Sequence, residues 1–281
     1  MAETNKTELD IPLFCKKHGL GGYSERISNL QLAALAITQS RTSMDQMAIG
    51  ASRIGGIPDL PLKRTGQSWQ GSIWPAIDGV PLEFLAQFNL SELKDYQSCS
   101  LLPKSGHLLF FYGFGINSNP RRSQVRVIYT NGIELHRPSE SWEIPDTIQQ
   151  FHPTTLKYSE TLKLPHPGSW AVSELAFNEE EIDRYNLLYR EWANHRPFGT
   201  SNTYFFGYPF IFNCPENPDA PAPKDILSRK GNEGYRCLFQ IGGNEESGIR
   251  IGDLGLLSFF IHKDDLAKAD FSDCWEAMET T

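Results

Sequence analysis

Ile54-Gly-Gly-Ile-Pro-Asp-Leu60, Phe84-Leu-Ala-Gln-Phe88 and Gly106-His-Leu-Leu-Phe-Phe-Tyr112 return later in the chain. They reappear as Phe205-Phe-Gly-Tyr-Pro-Phe-Ile211, Cys237-Leu-Phe-Gln-Ile241 and Gly255-Leu-Leu-Ser-Phe-Phe-Ile261. Both copies of the first motif place a Pro two residues after a Gly. Pro58 to Gln87 spans 29 residues and Pro209 to Gln240 spans 31; Gln87 to Phe110 spans 23 and Gln240 to Phe259 spans 19. Three matches in one order, with similar gaps, point to a duplicated β-unit at about 54–112 and 205–261. Neither copy is large enough to bury its apolar face alone. The expected fold class is therefore α+β and β-rich. Two antiparallel half-units would share one core, barrel-like or as packed sheets, with no long bare edges. One domain over residues 1–281 is expected rather than two.

The stretches around the repeats fit this reading. Leu82–Leu90, Gly106–Phe114, Gln124–Asn131 and Thr154–Leu164 are strand-length runs rich in aromatic and β-branched residues, bounded by Pro, Gly or Asn. Short helices are expected at Thr7–His18 and Ser24–Leu32, followed by a strand at Ala33–Thr38. A longer helix is expected near 178–196. Asn178 is its N-cap, Glu181 completes a capping box, and Ile182, Tyr185, Leu188, Tyr189 and Trp192 recur at helical spacing. Lys263–Trp275 reads as a short helical or turn segment with Asp264 as N-cap. Cys214–Pro223 holds four prolines, too many for a helix or a central strand.

Composition narrows the class. The chain has 281 residues, 40% of them hydrophobic, which excludes disorder. The longest apolar runs, Leu108–Ile116 and Leu32–Ile37, fall far short of the roughly 18 residues of a membrane helix. The start, Met-Ala-Glu-Thr-Asn-Lys-Thr-Glu, has no basic or apolar stretch, so no signal peptide and a cytoplasmic location are expected. The five cysteines, Cys15, Cys99, Cys214, Cys237 and Cys274, form no C-x-x-C pair and suit free thiols. Net charge is −8 and unevenly spread: residues 1–140 carry 14 basic and 12 acidic side chains, and residues 141–281 carry 12 and 22. Arg121-Arg122 with Arg126 and Lys16-Lys17 are basic clusters too small for a nucleic-acid surface. An acidic half of −10 suits a protein partner with a basic surface.

No phosphate-binding loop, H-E-x-x-H or G-x-S-x-G motif is present. The seven histidines lie far apart with no metal-ligand doublet, so neither metal nor organic cofactor is expected. Asp59 and Asp253 stand beside Gly and Pro, where Asp first serves turns; they are also the weak catalytic candidates. Gln87 and Gln240, each flanked by large apolar residues, must find hydrogen-bond partners if buried. Each either pins a neighbouring loop or lines a cleft shared by the repeats. With Arg53, Trp74 and Tyr112 they form the candidate binding set.

These residues also carry a resemblance. Ser52-Arg-Ile-Gly-Gly-Ile-Pro-Asp-Leu-Pro61, Trp74-Pro75, Pro81-Leu-Glu-Phe-Leu-Ala-Gln87, Leu90, Leu93, Leu102-Pro103 and Gly106–Tyr112 resemble the YwqG-like family. So do Gly207-Tyr-Pro209, Leu238-Phe-Gln240, Gly252-Asp-Leu-Gly255, Phe259-Phe-Ile261, Asp265-Leu266, Asp270-Phe271 and Trp275. The resemblance runs from about residue 7 to 276. The chain departs from the family pattern at Phe210-Ile-Phe-Asn213 and at Gly248-Ile-Arg-Ile-Gly-Asp253. The resemblance implies a duplicated β-rich domain and no established activity, cofactor or catalytic residue. Through relatives similar to genes near secreted-toxin systems, it implies an immunity or antitoxin-like binding role. Expected first is a non-enzymatic binding protein. An enzyme acting on a small molecule in a cleft between the repeats, and a scaffolding module, stand as alternatives.

Overall fold

The computed structural model describes residues 10–61, 63–65, 68–70, 74–116, 123–139, 144–194, 202–209, 234–253 and 255–279. The Pro-rich stretch 214–223 with Cys214, the departure at 210–213 and Arg121-Arg122 lie outside the described residues.

Ten strands form one antiparallel sheet. In chain order they are β1 (Leu32–Arg41), β2 (Arg53–Ile54), β3 (Glu83–Asn89), β4 (His107–Tyr112), β5 (Val125–Thr130), β6 (Thr154–Lys163), β7 (Tyr204–Phe206), β8 (Tyr235–Gly242), β9 (Leu256–His262) and β10 (Trp275–Glu279). Across the sheet the order is β5-β4-β3-β2-β6-β1-β7-β8-β9-β10. Strands β1–β5 and β6–β10 are thus two five-strand sets that exchange their first members. β6 pairs with β2 through Thr154 and Ile54, and β1 pairs with β7 through Leu35 and Phe205.

The register of the two sets agrees in detail. Gln87 faces Arg53 across β2–β3, and Gln240 faces Tyr204 across β7–β8. The β3–β4 ladder slips between Phe84 and Ala86, at Leu85; the β8–β9 ladder slips between Cys237 and Phe239, at Leu238. A left-handed turn follows β2 at Gly55 and Gly56 (φ 70° and 75°) and falls at the end of β7 at Phe206 and Gly207 (φ 58° and 72°). At Gly56 a Cβ would meet Met44 and Pro153, and at Gly207 it would meet Lys163 and Ala34. These are corresponding positions of the exchanged first strands and their flanks. Phe206 accepts a conformation that costs a residue with a Cβ roughly 1–2 kcal/mol.

The sheet is strongly curled. β4 and β9 lie seven places apart in the order, which in a flat sheet would separate them by about 34 Å. Yet the Phe110 and Phe259 ring centroids are 5.0 Å apart, and Phe88 lies 4.5 Å from Phe205. The two inner faces therefore meet in one core of Phe88, Phe110, Phe205, Phe239 and Phe259. Each such aromatic pair adds about 0.5–1.5 kcal/mol beyond the area it buries. No ladder joins β5 to β10 among the described residues, so the sheet does not close as a barrel. Side chains span the gap instead. Glu276 accepts from Gln124 N and Ser123 Oγ, both at 2.8 Å, and Tyr112 Oη lies 3.8 Å from Met278 Sδ.

Among the described residues six α-helices accompany the sheet: α1 (Ile11–Lys17), α2 (Ser24–Ser28), α3 (Leu90–Leu93), α4 (Trp170–Ser173), α5 (Glu179–Asn194) and α6 (Lys263–Ala267). Pro12 is tolerated in the first turn of α1, where its missing N–H would have no helical partner. The capping box of α5 forms: Asn178 Oδ1 accepts from Glu181 N and Glu181 Oε2 accepts from Asn178 N, both at 2.9 Å. Tyr185, Leu188, Tyr189 and Trp192 face α1 and α2 in a second core with Ile11, Cys15 and Ile27. The C-terminal reading needs correction. His262, not Asp264, caps α6, its Nδ1 accepting from Asp264 N at 3.3 Å. Trp275 opens a strand rather than ending a helical segment.

The left-handed turn after β2 gives a stability prediction. A Cβ on Gly55 would lie 2.2 Å from the His152 carbonyl oxygen, whereas one on Gly79 (φ 80°) would meet nothing within 4 Å. Gly79→Ala should lose only about 1 kcal/mol from its backbone conformation. Gly55→Ala should lose more than about 3 kcal/mol, because backbone must move. Urea unfolding of both variants measures the difference, and equal losses would refute the close approach.

Candidate functional site

Arg53, Asp59 and Gln87 come together on the outer face of the first half. Asp59 and Arg53 are fully buried. Asp59 Oδ2 accepts from Gly50 N at 2.7 Å, Arg53 Nη1 at 2.9 Å, Gln87 Nε2 at 2.9 Å and Arg137 Nη2 at 3.2 Å. Its Oδ1 accepts from Arg137 Nε at 2.7 Å. Four of these bonds converge on Oδ2 and one on Oδ1, and full burial closes the carboxylate to a substrate. Burial alone would raise the Asp59 pKa, but the hydrogen bonds from Arg137 and Arg53 outweigh it and hold the group at about 2. Gln87 Oε1 accepts from Asp59 N at 2.9 Å, and its Nε2 also donates to Ala51 O at 3.1 Å. It thus pins the loop between β2 and the strand pair Leu60–Pro61 with Leu135–His136. Arg137 ties the same loop to Met47 O at 2.8 Å and Ala48 O at 2.9 Å.

The other candidates lie apart from this cluster. Gln240 is buried in the second half and donates to Ser258 Oγ at 2.9 Å. Trp74 packs edge-on against Phe111, its Nε1 donating to Leu82 O at 2.8 Å. Tyr112 donates to Gln124 Oε1 at 2.9 Å beside the open seam of the sheet. Burial pushes its hydroxyl up to about 12. These side chains are held within the chain. The described cysteines, Cys15, Cys99, Cys237 and Cys274, are free and buried. Burial pushes the thiols of the last three up to about 12. Among the described residues no group of three or more His, Cys, Asp or Glu is placed to hold a metal ion, and no helix is long and apolar enough to cross a membrane.

Asp253 has a different setting. It lines a trough of about 1110 Å³ where β1 ends, β6 begins and β8 turns into β9. Arg41, Gln149, His152, Asn202, Glu245 and Arg250 share its walls, and Ile249 and Ile251 join the trough to the core. The β8–β9 loop forming one wall is fastened. Arg41 donates from Nε to Glu246 O at 2.9 Å and from Nη2 to Glu245 O at 2.8 Å. His152 N donates to Ser247 O at 2.8 Å, and Asn244 Oδ1 accepts from Glu246 N at 2.9 Å.

The pseudo-symmetry explains why the trough exists at this end. Leu35 of β1 corresponds to Thr154 of β6, since they face the equivalent residues Phe205 and Ile54. Six residues further on, Arg41 corresponds to Glu160. Glu160 also fastens a loop, accepting from Ser98 N of the β3–β4 connection at 2.8 Å. That connection carries α3 and pushes Leu90, Leu93, Cys99 and Leu102 into the core. The described residues of the β8–β9 connection carry no helix, and the trough lies at that end of the sheet. Sequence reading found Asp253 but missed Arg41, His152, Asn202 and Arg250, which come from separate segments with no common motif.

The Asp59 pKa carries a pH prediction. The folded value of about 2 lies below the ordinary 3.8. The carboxylate's contribution is therefore present above about pH 4 and is lost as pH falls towards 2, about 2 kcal/mol in all. Asp59→Asn should remove this component and leave Arg53 buried without its counter-charge, costing about 3–5 kcal/mol at neutral pH. Urea unfolding of both proteins across that range checks it. Parallel acid losses in the two proteins would be the contrary result.

No curated protein matches the sequence. A family of domains described as of unknown function, DUF1963, matches residues 52–279, a span that takes in every strand of the large sheet except β1. With most of its length and both copies of the repeated β-unit inside that match, the chain belongs to the DUF1963 family.

Proposed function

We propose that the protein works by binding a protein partner, with the trough as its contact site, and not by turnover. One observation carries the reading: an open trough whose lining offers guanidinium, carboxylate, imidazole and amide groups but no Ser, Thr, Cys, Lys or Tyr. Such a wall is rich in recognition chemistry and offers no hydroxyl, thiol or amine nucleophile for covalent catalysis. Arg41, Gln149, His152, Glu245, Arg250 and Asp253 are all exposed, as a docking surface requires and a sealed reaction chamber does not. The acidic C-terminal half adds long-range attraction for a partner with a basic surface. The immunity-like role implied by the YwqG-like resemblance is one form of this reading, set in a reducing cytoplasm that suits free, buried thiols. Neither a cofactor nor a nucleic acid is part of it.

The test is association kinetics with the purified product of an adjacent gene, at low and high ionic strength. Glu245→Gln with Asp253→Asn should slow association severalfold at low salt and leave unfolding nearly unchanged, because exposed charges add little stability. Salt should narrow the gap between wild type and variant. Turnover of a small molecule that disappears in Asp253→Asn, with the fold intact, would establish the enzyme reading instead.

A further inference from the structure

The trough also indicates what part of a partner it takes. Its charged lining is balanced, with Arg41 and Arg250 against Glu245 and Asp253. A uniformly basic or acidic ligand would meet like charge on the same wall, at a cost of the kind that builds specificity. Gln149 and Asn202 offer side-chain amides, each able to donate to and accept from a peptide unit. Ile249 and Ile251, both nearly fully buried, supply an apolar floor, and beside the His152 imidazole no Phe, Tyr or Trp stands among the described lining residues for stacking a sugar or a base. The volume of about 1110 Å³ exceeds the usual range of roughly 300–1,000 Å³ for enclosed small-ligand pockets. Arg41 is already oriented, since two backbone carbonyls hold its Nε and Nη2. Arg250 has no ion-pair partner among the described residues.

We propose that the trough binds an extended peptide segment carrying a basic and an acidic side chain close together. The acidic group would meet Arg250 and Arg41, the basic group would meet Asp253 and Glu245, and the intervening main chain would meet the amides of Gln149 and Asn202. This rests on the binding reading above and narrows it from a folded surface to a linear segment.

The experiment is selection from a phage-displayed random dodecapeptide library on the full-length protein, with Kd of the enriched peptides measured by fluorescence anisotropy. Enriched sequences should pair one acidic and one basic residue at a fixed spacing. Arg250→Ala and Asp253→Ala should each weaken the selected peptides about tenfold. The exchange Arg250→Asp with Asp253→Arg should select peptides with the two charges in the reverse order, an outcome that misfolding cannot produce. No enrichment, enrichment of single-sign or purely apolar peptides, or the same motif on wild type and exchange variant would each overturn the proposal. Loss of partner association in Glu245→Gln/Asp253→Asn without any peptide selection would do the same, while leaving the binding reading in place. Peptide selection without that loss would support the linear segment and count against the adjacent-gene partner.

Discussion

Neither half of this protein completes its sheet without the other's first strand. β6, which begins the second set, lies against β2 of the first, and β1 lies against β7 of the second. The two first strands pair with each other from Leu32–Lys163 to Arg41–Thr154. Ten consecutive paired positions at the centre lock the halves in a single register, because a slip of one residue would turn every buried side chain outward. The curl follows from that lock. With the centre fixed and each set twisting the same way, the outer strands swing round until Phe110 and Phe259 meet. The shared core is thus a consequence of strand exchange, and the aromatic cluster is its energetic return.

Duplication fixes the backbone more tightly than the side chains. The bulges at Leu85 and Leu238 and the left-handed turns at Gly55–Gly56 and Phe206–Gly207 correspond one to one. The polar groups beside them do not. Where the first half places Arg53 under Gln87, the second places Tyr204 under Gln240, with the Lys163 ammonium 4.1 Å from the Tyr204 ring centroid. A salt-bridged cluster in one half is matched by a cation–π contact in the other. At the two loop clamps the charge itself is reversed, Arg41 against Glu160. A common frame therefore carries two different surfaces, and only one of its ends is plugged by a helix.

The sequence made this architecture legible where burial and backbone geometry constrain residue type. The Gly-x-Pro turns, the Gln flanked by apolar residues and the Phe-Phe runs repeat because both halves need the same turn, the same bulge and the same inner face. The capping box at Asn178 and Glu181 was equally readable, since its partners are three residues apart. The first strands were not recognisable as copies. Leu32–Arg41 and Thr154–Lys163 share little beyond length, because the first buries the run Ala34–Ile37 and the second is fully buried only at its ends, Thr154 and Lys163. The partner of Asp59 was also beyond sequence reading: Arg137 lies 78 residues away and reaches it only through the loop fastened at Met47 and Ala48. The trough was least legible of all, being assembled from four segments brought together by the strand exchange.

That distribution separates the residues that hold the fold from those of the proposed contact site. Asp59 is fully buried with five hydrogen-bond donors around it, so any change there disturbs desolvated charge. The trough is held differently. Its wall is fastened mainly through backbone carbonyls, at Glu245, Glu246 and Ser247, which remain whatever side chains those positions carry. Glu245, Arg250 and Asp253 then project from a fixed frame into solvent, where exchanging one charge for another costs little folding energy. Arg41 is the exception, because its guanidinium is itself the fastening. A surface whose frame is independent of its exposed side chains can change what it recognises without changing how it folds. The plugged end has no such freedom, since Leu90, Leu93, Cys99 and Leu102 belong to the core. The proposed contact site accordingly lies at the end where the described residues of the second loop bury no helix.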